Sequence, residues 1–393
     1  MMFVKRFLIL ALALAAGCTA KAPLSQEVVH SEISRNPEAS YIDGQEGRLK
    51  WNYTTGLELK AMLDVYCHSE RSEESILSYV DAWYNSIIDS TGTIYKYKKS
   101  NYSLDHICPG RTLFGLYDIT GKEKYRVAMD TLYSQLLDQP RTPEGGFWHK
   151  AVYPNQMWLD GLYMAQPFYA EYTVRYVTDS TARAENFRDI AHQFSLVYDK
   201  TFDPETGLLR HAWDSSHEMF WCNGETGQSA HSWGRALGWY AMALVDVIEI
   251  LPAGEEKDTL IGLLDNVYQV LPLFADISTG MWYQVLDRPY ADGNYLEATC
   301  SAMFTYAWLK GCRLGVLGNL EGAKQAYESL LETFVTKDED GLVNLNYCCE
   351  VAGLGGKQNR SGDFDYYINE PVRPNDPKGI GPLIWAALEY ERL

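Results

Sequence analysis

The sequence predicts an all-α fold, six helical hairpins closed into an (α/α)6 barrel, with residues 19–393 forming one domain. Three observations carry this prediction. Apolar residues recur at helical spacing in about twelve stretches, short turns join them in pairs, and the longer loops between pairs repeat one pattern. No sustained alternating strand pattern appears outside short pieces of those loops.

Taken in order, the helical stretches lie near 25–36, 54–66, 73–89, 105–118, 122–138, 158–178, 182–200, 231–250, 255–272, 296–317, 319–335 and 379–392. Turns such as Ile119-Thr120-Gly121 and the segment around Pro252-Ala253-Gly254 close helix pairs. The longer loops each open on a glycine followed by apolar residues, at Gly92, Gly146, Gly207, Gly280 and Gly341. The repeat is uneven, roughly 50–75 residues, because the loops differ in length. Neither terminal repeat has a distinctly polar capping face, which favours a closed ring over an open solenoid. In a closed ring the long loops gather on one face, where functional residues concentrate. The polar run His68 to Ser75 reads as a solvated turn between two helices. The stretch 336–378 is the longest irregular one, and its aromatic content suits an ordered pocket wall.

Residues 1–18 read as a bacterial lipoprotein signal peptide. Lys5 and Arg6 precede an apolar run from Phe7 to Ala16, and Ala15-Ala16-Gly17-Cys18 resembles a lipoprotein cleavage box. The expectation is a lipid on Cys18 and a place in the periplasm or cell envelope. The seven other cysteines are widely spread with no C-x-x-C, which argues against a disulfide framework or a zinc site. A net charge of −18 argues against nucleic acid or an anionic membrane surface as partner. Any acidic ligand must then be met by a few local cations. The 28 Tyr and 11 Trp suit a carbohydrate-facing surface, although tyrosines also fill helix contacts.

The candidate chemistry centres on the loop and helix start from Gly145 to Phe168. His149 and Lys150 lie in the loop, and Trp158, Asp160 and Met164 follow at the helix start. Asp160 between apolar neighbours needs either a partner or a raised pKa, and a raised pKa suits a general acid. Asp105, at the start of the 105–118 stretch, is the second carboxylate. His211, Arg235 and Trp239 follow at later loops and helix starts, and Tyr53 occupies the same position near the N-terminus. Metal-ligand spacing such as H-x-x-x-H is missing from these motifs.

Several of these runs resemble glycoside hydrolase family 105, the unsaturated rhamnogalacturonyl and related unsaturated uronyl hydrolases. They are Gly146-Phe-Trp-His-Lys, Tyr153-Pro-Asn-Gln-Met-Trp-Leu-Asp-Gly-Leu-Tyr-Met-Ala, His211-Ala-Trp-Asp, Trp233-Gly-Arg-Ala-Leu-Gly-Trp-Tyr and Tyr366-Tyr-Ile-Asn-Glu-Pro-Val. The resemblance extends from about Trp51 to the C-terminus. It implies the same six-hairpin barrel and hydrolysis of a 4,5-unsaturated uronic acid from the non-reducing end of lyase-generated oligosaccharides. It makes Asp160 the general acid/base and Asp105 the second active-site carboxylate. Tyr53, His149, Lys150, Trp158, Met164, His211, Arg235 and Trp239 become pocket positions. The implied reaction is hydration of a vinyl ether and needs no metal or organic cofactor. In this reading Asp105 helps raise the pKa of Asp160, and Lys150 or Arg235 meets the uronate carboxylate. Two other readings stay open on the residues alone. One is an inverting glycosidase acting on saturated sugars with Asp105 and Asp160 as acid and base. The other is a lipid-anchored glycan-binding protein.

Overall fold

A computed structural model describes residues 22–69 and 73–393. The expected signal peptide with its Cys18, and part of the polar turn at 68–75, lie outside the described residues. Among the described residues twelve long helices form. They are α1 (Leu24–Arg35), α2 (Tyr53–His68), α3 (Glu74–Ile87), α4 (Gly110–Thr120), α5 (Glu123–Leu137), α6 (Leu159–Tyr176), α7 (Ser180–Thr201), α8 (Gly234–Ile250), α9 (Glu255–Val270), α10 (Ala298–Arg313) and α11 (Leu320–Phe334). A five-residue helix, α12 (Phe364–Ile368), precedes the last long one, α13 (Pro377–Glu391).

Inner and outer helices alternate along the chain. The inner ring runs α2, α4, α6, α8, α10, α13, and α13 packs back on α2 to close it. Sequence pattern sorts the two rings. In α8 every residue from Gly234 to Ile248 is buried, as expected of a helix apolar on all sides. In α11 only Ala323, Ala326, Tyr327, Leu330 and Phe334 are buried, a single stripe at helical spacing. Closure is reinforced by Trp385 of α13, whose indole N–H donates to Asp64 of α2 at 2.8 Å. Glu391 also accepts from Ser25 at the start of α1, at 3.0 Å from its N–H and 2.7 Å from its hydroxyl.

The repeated glycines have a common local cause. Outer helices α3, α5, α7 and α9 each end in a small β-turn ladder, at Ile88–Ile94, Arg141–Phe147, Phe202–Leu209 and Ala275–Trp282. After α11 the same feature is a short antiparallel pair, β3 (Val335–Lys337) with β4 (Val343–Leu345). In four of the five turns an aspartate accepts backbone N–H groups three or four residues ahead of the glycine. These are Asp89, Asp203, Asp276 and Asp338. Gly207 (φ 76°) and Gly280 (φ 73°) then take the left-handed conformation that turns the chain back.

The structure corrects two element boundaries. A helix was expected from residue 105, but Leu104–His106 forms a single 3-10 turn and α4 begins at Gly110. Pro109 lacks a backbone N–H and disfavours helical dihedrals at Cys108, so the helix restarts only after it. The helix expected from residue 231 begins at Gly234, because Trp233 is extended and bridged to Val285. The stretch 336–378 is ordered by β3 and β4, by α12, and by β5 (Cys348–Cys349) paired with β6 (Val372–Arg373).

Candidate active site

The N-termini of the inner helices all point to the loop-bearing end of the barrel. Their exposed N–H groups and aligned dipoles favour negative charge there. Asp160 sits in the first turn of α6, immediately after β1 (Gln156–Trp158), which pairs antiparallel with β2 (Ala212–Asp214). The ladder extends one step further, with Leu159 N–H donating to the His211 carbonyl at 3.1 Å. This register carries the His211 ring to Asp160. Nε2 and Oδ2 face each other at 3.2 Å, and among the described residues neither atom has another polar partner. The other ring nitrogen, Nδ1, lies 2.7 Å from the Tyr367 hydroxyl. His211 and Tyr367 are fully buried, and Trp233 lies against both rings.

Asp105 is held on its 3-10 turn by the neighbouring loop. Leu104 N–H donates to the His149 carbonyl at 3.1 Å. Lys150 Nζ then meets Asp105 Oδ2 at 2.5 Å, and His149 Nε2 stands 3.5 Å from Oδ1. Gly161, next to the candidate acid, makes this approach possible: a Cβ there would sit 3.1 Å from both His149 Nδ1 and Leu104 Cδ1. Tyr53 occupies the middle of the group. Burial pushes its hydroxyl pKa well up, with Arg235 opposing and Asp105, Asp376 and Asp160 reinforcing the shift.

The electrostatics correct one expectation. Burial alone pushes the Asp160 carboxyl up, but His211, with His149 and a backbone N–H, holds it below the ordinary carboxylate value. Asp105 is not among the groups that raise it. Asp105 itself is pushed up by burial and then held low by Lys150 and His149. Burial depresses His149 to about 4, so its ring is neutral near pH 7. Asp160 therefore has a partner rather than a raised pKa in the unliganded protein.

The cations divide in the same way. Lys150 is committed to Asp105. Arg235 is buried and donates to the Cys349 carbonyl at 2.5 Å, and no carboxylate lies within ion-pair distance among the described residues. Burial works against its charge, but Cys349, Asp376 and Glu297 more than compensate and keep its pKa above the usual value. Trp239 and Met164 are 1% exposed and form the packed floor. Trp239 lies 4.8 Å from Tyr163 and 6.3 Å from Tyr53 between ring centres. Trp158 stacks on His149 at 4.6 Å and on Tyr153 at 5.0 Å, so little of its ring stays accessible. Asp214 is a buried turn organiser that accepts from the N–H groups of Ser216, Glu218 and Met219.

A cavity of about 310 Å³ opens beside Asp105 and Tyr53, bounded also by Lys50, Arg373 and Lys378. Arg373 is tied to Asp43 at 2.5 Å and to Asp376 at 2.6 Å, and Lys378 to Asp376 at 2.8 Å. This network and Tyr367 escaped the reading of the sequence. The aromatic pair Tyr366-Tyr367 inside a long irregular stretch was the signal that could have found Tyr367. Among the described residues no group of His, Cys, Asp or Glu is arranged to hold a metal ion.

Comparison with known proteins gives this geometry its context. The model of Glycosyl Hydrolase Family 88 matches residues 24–393. A solved glycoside hydrolase from family 105 of C. acetobutylicum ATCC 824 superposes with a TM-score of 0.89. It shares 43% identity over 95% of this chain and 100% of its own. Protein Atu3128 of Agrobacterium fabrum is 40% identical over 238 residues, 58% of this chain and 97% of that protein. The unsaturated rhamnogalacturonyl hydrolase YesR of Bacillus subtilis is 25% identical over 301 residues, 75% of this chain and 78% of that protein. A family match over nearly the whole described chain, on a closed six-hairpin barrel, makes this protein a glycoside hydrolase of the family 88 and family 105 group.

Proposed function

We propose that the protein releases a 4,5-unsaturated uronic acid from the non-reducing end of lyase-generated oligosaccharides. The observation that carries this reading is the unequal state of the two carboxylates. Asp105 is engaged by the Lys150 ammonium at 2.5 Å, a full ion pair that commits its charge. Asp160, by contrast, has no lysine or arginine within ion-pair distance among the described residues and faces the His211 ring at 3.2 Å. Ordinary glycosidases need two working carboxylates, one as acid and one as base or nucleophile. Here a single group, Asp160, is left to move protons, and a vinyl ether needs only one. The likeness to YesR supports the same substrate class.

In this mechanism the carboxyl of Asp160 donates a proton to C4 of the C4=C5 bond, which leaves an oxocarbenium-like centre at C5. Water attacks C5 and returns a proton to Asp160. The hemiketal then opens, and the next sugar leaves with its oxygen. Oδ2 is buried against His211, so Oδ1 faces the reacting atoms. Arg235, a buried cation without an ion-pair partner among the described residues, meets the uronate carboxylate. That arriving charge, together with exclusion of water, lifts the pKa of Asp160 and loads it with the proton it must give.

The test follows the ultraviolet absorbance of unsaturated oligosaccharides with wild type and Asp160→Asn. Wild type should consume the double bond, and the variant should lose at least about 10³-fold in kcat while keeping its fold. Unchanged absorbance with wild type across rhamnogalacturonan, ulvan and glycosaminoglycan fragments would refute the reading.

A further inference from the structure

A second hollow, of about 520 Å³, adjoins the cleft at Asp105, and Lys50, Trp51 and His106 line both. The hollow adds Arg48, Lys96 and Tyr95, and no Asp or Glu lines it among the described residues. In a chain of net charge −18, a lining with three Lys/Arg cations and no acid is a local reversal of sign. Lys50 is exposed and has no ion pair or hydrogen bond among the described residues. Lys96 takes the left-handed conformation (φ 56°), uncommon for a side-chain-bearing residue, and holds its Nζ 4.9 Å from the Tyr95 ring centre. Tyr95 is 46% exposed. Arg48 has one acidic neighbour, Glu46 at 3.6 Å, and both are open to solvent.

We propose that this hollow binds the leaving-group arm of the substrate, and that the arm is an acidic oligosaccharide whose carboxylates meet Arg48, Lys50 and Lys96. The inference rests on the reading of Asp160 above. If Arg235 fixes the terminal uronate at the buried end, the rest of the sugar chain must leave through the mouth beside Asp105. The opposite side is strapped, with Arg360 donating to the Tyr153 hydroxyl at 3.3 Å and Gly353 N–H to Tyr366 at 3.0 Å. The hollow beyond that strap mixes Arg360 with Glu370 and lacks the charge bias. An exposed tyrosine supplies an apolar ring face for a sugar, and the exposed cations select for acidic chains over neutral ones.

The experiment compares wild type with the double variant Arg48→Gln, Lys96→Gln. Titration calorimetry with a saturated oligogalacturonate hexamer, which has no vinyl ether to cleave, reads the hollow without chemistry. Loss of two exposed charge contacts should weaken binding by about three- to tenfold, and added salt should shrink the difference. A neutral glucan hexamer should bind both proteins equally weakly. With unsaturated substrates, the ratio of kcat/KM for a hexasaccharide to that for a disaccharide should fall by a similar factor. Equal hexamer affinity in the two proteins, or equal loss on disaccharide and hexasaccharide, would overturn the proposal. If the hexamer binds as expected but no unsaturated sugar is consumed, the hollow stands and the reading of Asp160 fails.

Discussion

His211 has only two ring nitrogens, and both are engaged in the core, one with Tyr367 and one with Asp160. In a neutral imidazole one ring nitrogen donates and the other accepts. The Tyr367 hydroxyl has no other acceptor among the described residues. Donation to Nδ1 therefore leaves the proton on Nε2, pointed at Asp160. Tyr367→Phe removes that bias. Its expected effect is a fall in kcat of about 10–100-fold, the range seen when an orienting partner is lost, with KM nearly unchanged. The pH profile distinguishes this from simple loss of packing. A lone pair on Nε2 would destabilise ionised Asp160, so the pH at which activity declines should move upward. An unshifted profile would leave only a packing role. The sign of the wild-type profile follows from the same carboxyl. Asp160 must be protonated to act and is held low in the free enzyme. The kcat/KM should therefore decrease as pH rises through the neutral range. Calorimetry in buffers of different ionisation enthalpy should record proton uptake on binding an anionic analogue.

Among the helices, α8 couples the two ends of the barrel. Its first turn carries Arg235, and three turns on Asp246 accepts from Arg111 of α4 at 2.7 Å and from Lys310 of α10 at 2.8 Å. Tyr306 donates to the same carboxylate at 2.6 Å. The groups are buried, and the two cations hold Asp246 well below the usual carboxylate range. Asp246→Ala would strand two buried cations. It should cost about 3–5 kcal/mol, read as a lower denaturant midpoint, whereas replacing the whole cluster with apolar residues should cost less. The sign of the pH effect is fixed by the depressed pKa. The stabilisation is fully present above the unfolded carboxylate value and is lost as pH falls through the folded one. The cluster touches no reacting group, so its loss should lower stability with little change in kcat at temperatures where the variant stays folded.

Over the whole molecule, the ring has no free inner surface only because α13 returns to α2. Removing residues 377–393 would expose the facing sides of α2 and α10, both largely buried in the closed barrel. The truncated chain should lose its cooperative unfolding transition and become sensitive to protease throughout, not only near the cut. An open solenoid would tolerate the same deletion and lose about one repeat's share of stability. Closure also explains why Asp105, Asp160, Arg235 and Tyr53, spread over 183 positions of sequence, meet at one end of the barrel. Every inner helix starts at that end.

Helix number and order were legible because outer helices such as α11 carry an apolar stripe and inner helices such as α8 are apolar almost throughout. The glycine repeat was legible because only glycine takes the left-handed turn without strain. Asp160 stood out as a lone carboxylate in an apolar helix start. What the sequence did not carry was the state of these groups. Whether Asp160 is raised or lowered depends on a histidine 51 residues away, delivered by the β1–β2 register. Whether Lys150 or Arg235 is free to meet an anion depends on which carboxylate the folded loops bring to each. Tyr367 lies 156 positions from His211, and nothing local to either marks the pairing. Periodicity is a local property and survives in one dimension. A proton's position is set by distances of 3 Å between segments remote in sequence, and only the closed barrel fixes them.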